Sequence, residues 1–116
     1  MDTIEIKSGE SVKLNVKISS DANAGSNVSL NDSVIKKSIT NNFNVELGKI
    51  EQLDDNTLSV VSNFFVLGGN IDAVIETTHV VNTFSSESST IEINSEKVKI
   101  SSVLFMAYIV VKLKKI

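Results

Sequence analysis

Between Val12 and Ile18 the chain alternates: Val12, Leu14, Val16 and Ile18 are apolar, while Lys13, Asn15 and Lys17 are polar. Successive side chains of a strand point to opposite faces, so this period of two predicts a strand with one buried and one wetted face. Ser19 to Asn27 is rich in Ser, Asp, Asn, Ala and Gly without a clear period, and reads as a loop. Alternation resumes at Val28 and Leu30. Asn31-Asp32, two residues that tolerate left-handed backbone angles, then turn the chain into Ser33-Val34-Ile35 as a short hairpin. Phe43, Val45 and Leu47 alternate with Asn44 and Glu46, predicting a further strand that stops at Gly48.

A polar turn at Asp54-Asp55-Asn56 precedes Leu58 to Leu67, which is dense in Val and Phe and predicts a strand buried on most of its surface. Gly68-Gly69-Asn70 should return the chain. Ile71 to Thr83 is dominated by β-branched residues, which lose less in a sheet than in a helix, so the two segments read as a long hairpin. After a serine-rich break, Ile91 and Ile93 pair with Val98 and Ile100 across Asn94-Ser95-Glu96-Lys97 as a second hairpin. Val103 to Leu113 closes the chain as a central strand, without glycine or a helix-capping pattern. With about eight strands and no convincing amphipathic helix, the expected fold class is all-β: a single domain over residues 1–116, built as a two-sheet antiparallel β-sandwich, jelly-roll or Greek-key-like.

The final strand carries the most suggestive pattern. Val103, Phe105, Ala107, Ile109 and Val111 fall on one face, and Leu104, Met106, Tyr108 and Val110 on the other. In a two-layer protein one face of every strand looks outward. An outward row of Leu104, Met106, Tyr108 and Val110 therefore calls for a cover, either a partner subunit or a helix or loop of the same chain.

Composition narrows the possible functions. At 116 residues, 41% of them hydrophobic and 22% charged, the chain is an ordinary globular domain and not a disordered one. It has no cysteine, so thiolate metal sites, disulfides and a cysteine nucleophile are out of reach. All eleven basic residues are lysine, and the net charge is −3. Without arginine, the usual bidentate reader of phosphates and guanine edges, no nucleic-acid partner is expected. Lys112, Lys114 and Lys115 read as a solvated strand end. The acidic start lacks the basic and apolar stretches of a signal peptide, and the longest apolar run is about half of the ~20 residues a membrane-spanning helix needs. The expectation is a soluble protein without a membrane partner, cytoplasmic by default.

Candidate chemistry is thin. His79 is the sole histidine and reads as a strand residue. No G-x-S-x-G elbow accompanies the serines. Asp54, Asp55 and Asn56, joined by Asp21 and Asn23 or by Asn31 and Asp32, could offer oxygen ligands to calcium, but these are also the favoured turn formers. Gly68-Gly69 lacks the following helix and lysine of a phosphate loop. The phenylalanines, Phe65 among them, read as core, leaving few rings for a glycan. The expectation is therefore a non-enzymatic protein-interaction or assembly module with no catalytic residue, cofactor or metal. It would act on a protein partner or on itself as a homo-oligomer, through Leu104, Met106, Tyr108 and Val110. The alternative is a small calcium- or glycan-binding sandwich using loop carboxylates.

Overall fold

The computed structural model describes residues 1–116 and distributes ten strands over two sheets. In chain order they are β1 (Asp2–Ile6), β2 (Ser11–Ser19), β3 (Asn23–Leu30), β4 (Ser33–Ser38), β5 (Asn42–Lys49), β6 (Thr57–Phe65), β7 (His79–Ser85), β8 (Thr90–Asn94), β9 (Glu96–Lys99) and β10 (Leu104–Lys115). Two short helices, α1 (Ile50–Leu53) and α2 (Ile71–Thr77), precede β6 and β7. The first sheet runs β1-β10-β6-β3-β4, with β9 also paired to β10, and the second runs β5-β2-β7-β8. No helix is long and apolar enough to cross a membrane.

The alternation read from the sequence explains the core. Val12, Leu14, Val16 and Ile18 of β2 are all buried, as are Phe105, Ala107, Ile109, Val111 and Leu113 of β10. Together with inward residues of the other strands they join one cluster of 25 buried apolar side chains drawn from both sheets. Phe64 and Phe105 sit opposite each other in register and stack in parallel, with ring centroids 4.5 Å apart. Burying such rings removes large apolar areas from water, and their ordered stacking adds to that gain.

Several expectations are corrected. The sheets are mixed, because β1 runs parallel to β10 over Asp2–Ile6. There are ten strands rather than about eight. The loop read at Ser19 to Asn27 is strand from Asn23 onward, because the inward positions of β3 are filled by Ala24 and Ser26, too small or too polar to mark a period. Ser26 is tolerated inside because it meets the hydroxyl of Ser62, its register partner on β6, at 2.7 Å.

The long hairpin read from Leu58 to Thr83 does not form. β6 lies between β10 and β3 in one sheet, whereas β7 lies between β2 and β8 in the other. Between them Ile71–Thr77 is helical. Asn70 caps it, its Oδ1 accepting from the Asp72 and Ala73 amides, and Ile71, Val74 and Ile75 turn toward the core at helical spacing. Gly68, at φ 70°, supplies the left-handed residue that redirects the chain toward this helix.

The second hairpin is replaced by a corner. β8 pairs with β7, and β9 pairs with β10, so the chain passes from one sheet to the other at Ser95. The corner is held by Asn82, whose amide donates to the Ile93 carbonyl and the Ser95 hydroxyl, and by the Ser95 amide donating to Val80. On the opposite side β4 and β5, also in different sheets, are joined through residues 39–41, where the Asn41 carbonyl accepts from the Ile18 amide at 2.7 Å. Connections that change sheet at corners let one short chain serve two sheets.

Candidate functional site

The outward faces of the two sheets differ in chemistry. On the β5-β2-β7-β8 sheet the outward positions of β2 are Lys13, Asn15 and Lys17. They lie beside Asn42, Asn44 and Glu46 of β5 and Val81, Thr83 and Ser85 of β7. Asn15 donates to the side chains of both Asn42 and Asn44, and Lys13 pairs with Glu46 at 3.5 Å. That face is well matched to water.

The β10 face is apolar. Leu104, Met106 and Tyr108 are half-buried and Val110 is 41% exposed. The four share the outward side of β10, as the alternation predicts. Register brings them neighbours: Phe65 beside Leu104 and Val61 beside Tyr108 from β6, and Val98 beside Met106 from β9. Phe65 is 59% exposed, and Val98 is exposed as well. The reading of all phenylalanines as core thus fails at Phe65: consecutive strand residues face opposite ways, and Phe64 takes the inward position.

Neither helix lies over this row. α1 buries Ile50 and Leu53 in the core, and the Ile50 amide donates to Glu10. α2 is tied from the inward side of β9, where Lys97, the register partner of buried Ala107, donates to the Ile75 and Thr78 carbonyls at 2.7 and 2.8 Å. The helices therefore close the core and leave the outward row to solvent.

β1 and β9 share one edge of β10, registered against residues 111–115 and 105–108 respectively, so neither reaches Ile109 or Val110. The break opens a hollow of about 420 Å3 lined by Tyr108, Glu96, Ile93 and Asp2 among others. The Tyr108 hydroxyl donates to the Glu96 carboxylate at 3.1 Å. That bond and the adjacent negative charge raise the Tyr108 pKa, since both oppose the phenolate.

The other residues singled out in the sequence are dispersed. Asp54 accepts from the Lys115 backbone amide at 2.8 Å, and Asp55 takes Lys114 at 2.8 Å and Lys112 at 3.8 Å, so two of the three clustered lysines are paired at the strand end. The Lys114 contact holds the Asp55 carboxyl below its usual value. Asn31 bonds Asn56 and the Thr57 amide. Asp21 and Asn23 lie near the Phe65 end of β6, and Asp54 to Asn56 at its Thr57 end. Asp21 and Asn23 are therefore remote from Asp54 to Asn56, whereas Asn31 adjoins Asn56. His79 is exposed at the start of β7, opposite Ser19. No protein-family model, curated protein or solved structure matches the chain.

Proposed function

We propose that the chain is a non-catalytic β-sandwich, its two sheets facing each other across the shared core, and that it works as an assembly module through the outward row of β10. The observation that carries this reading is the contrast between the two outward faces. One is covered with amides and charges, the other bears Val98, Leu104, Met106, Tyr108 and Val110 side by side with exposed Phe65. Contiguous exposed apolar surface is rare on monomers and is a common mark of a protein interface.

A second copy of the chain is the partner we favour. The one formal charge in the row is the Glu96 carboxylate, which accepts from Tyr108, so two copies can pair these faces in an orientation that keeps the two Glu96 carboxylates apart. Light scattering behind a sizing column, across a concentration series, tests the reading. A mass that rises with concentration in the native chain and stays monomeric in Met106→Lys and Tyr108→Lys supports it. A native chain that remains monomeric at every concentration refutes self-assembly.

A further inference from the structure

The other half of the same sheet face holds a feature of different chemistry. Outward on β3 stand Gly25 and Asn27, next to Asn63 and Phe65 of β6 on one side and Lys37 and Ile39, in and just after β4, on the other. Ala24 and Ser26 face inward, so a side chain at Gly25 would project outward, and a Cβ there would meet nothing within 4 Å. The missing side chain leaves a hollow of about 500 Å3 with a glycine floor and the exposed Phe65 ring as one wall.

The polar groups around this floor are uncommitted. Ser38 bonds Thr40, while the Asn27 and Asn63 amides and the Lys37 ammonium have no hydrogen-bond or ion-pair partner within the chain. Each amide offers two donors and an acceptor, suited to adjacent hydroxyls. An exposed ring offers a flat apolar face suited to the C–H face of a pyranose. The lining contains one cation and no carboxylate, so its charge complements an anion.

We propose that this hollow binds a carboxylated saccharide, a uronic or sialic acid residue lying over Gly25. Phe65 stacks on the ring, Asn27 and Asn63 bond its hydroxyls, and Lys37 meets its carboxylate. The site does not depend on the assembly reading, but Phe65 and Asn63 adjoin the β10 row, so pairing of copies through that row would compete with the sugar. Few contacts and an open rim set the affinity in the millimolar range.

The test is a titration of isotopically labelled protein with tetragalacturonate and with sialyllactose, using maltotetraose as the neutral comparison. The side-chain amide signals of Asn27 and Asn63 are followed by NMR. Gly25→Leu is the discriminating variant, because the site has room for the new side chain and the backbone there needs no glycine. Neither Gly25 nor Lys37 belongs to the β10 row, and the titration is run at one low, fixed protein concentration because Asn63 lies beside Met106, so sugar binding is read separately from self-association.

The expected result is saturable shifts of both amides with at least one acidic sugar, abolished in Gly25→Leu. Phe65→Ala should weaken binding by about tenfold, the worth of one stacked ring. Lys37→Gln should remove the preference for acidic over neutral sugar. Three results overturn the proposal: no shift with either acidic sugar, binding unchanged in Gly25→Leu, or maltotetraose bound as well as the acidic sugars.

Discussion

The Tyr108 hydroxyl and the Glu96 carboxylate, register partners on β10 and β9, meet at 3.1 Å beside the break in the sheet edge where neither β1 nor β9 reaches Val110. Ionising the phenol would place a second negative charge against the carboxylate, so Tyr108 should hold its proton above its ordinary value. A raised folded value favours the protonated form. The bond's contribution is thus complete below the unfolded tyrosine value and is lost as the pH rises through the folded one. Ultraviolet titration of the single tyrosine should give a midpoint above that of free tyrosine. Glu96→Gln should return it toward the free value, and an unchanged midpoint would mean the bond does not persist in solution.

At the acid end the sign reverses. Glu10 is lowered chiefly by the Ser88 hydroxyl, Glu51 by the Gly9 amide, and Asp55 by Lys114. Each favours its ionised form in the folded chain, so their stabilisation is present above the unfolded carboxylate values and fades as the pH falls through the lowered ones. Urea unfolding at stepped pH should show stability falling below the ordinary carboxylate range. A triple Glu10→Gln, Glu51→Gln, Asp55→Asn variant should show a shallower fall.

Ser26 and Ser62 offer a clean test of buried polar pairing. Both are buried, and their hydroxyls satisfy each other. Ser62→Ala strands the Ser26 hydroxyl and should cost about 1–3 kcal/mol. Adding Ser26→Ala should recover part of that loss, because two apolar groups then face each other. A double variant less stable than either single one would contradict the pairing.

Phe64 and Phe105 anchor the central strands by stacking across β6 and β10. Phe105→Ala should destabilise the chain by about 3–5 kcal/mol in chemical denaturation. Phe64→Ala should cost a similar amount, while Phe65→Ala, one residue along β6 but outward, should cost far less. Similar losses at Phe64 and Phe65 would show that the facing of β6 has been assigned the wrong way.

Strong alternation made β2 and β5 legible in the sequence, and an apolar run without glycine or a helix cap made β10 so, along with its outward row. β3 was hidden because Ala24 and Ser26 carry no hydrophobic signal, and Ser26 makes sense inside only once Ser62 is known to lie opposite. α2 was masked by its β-branched content, although Asn70 as cap and the 71, 74, 75 spacing were present in the sequence. The Ser95 corner mimics a hairpin turn because both need polar residues at a bend. Its partners, Asn82 and Val80, come from a strand that a local reading cannot place beside it. The parallel pairing of β1 with β10 joins the two ends of the chain, where no short-range pattern acts. The neighbours that complete the candidate face, Val61, Phe65 and Val98, likewise follow from register alone.

The most direct measurement of the assembly claim is the ε-methyl NMR signal of Met106 in a dilution series, with the ring signals of His79 as internal reference. Met106 lies in the centre of the outward row between Val98 and Asn63, and His79 is exposed on β7 of the other sheet. A Met106 signal that shifts or broadens with rising concentration while His79 stays constant is the predicted result. A Met106 signal independent of concentration, or one that moves only in step with His79, would contradict the claim that copies of this chain meet through β10.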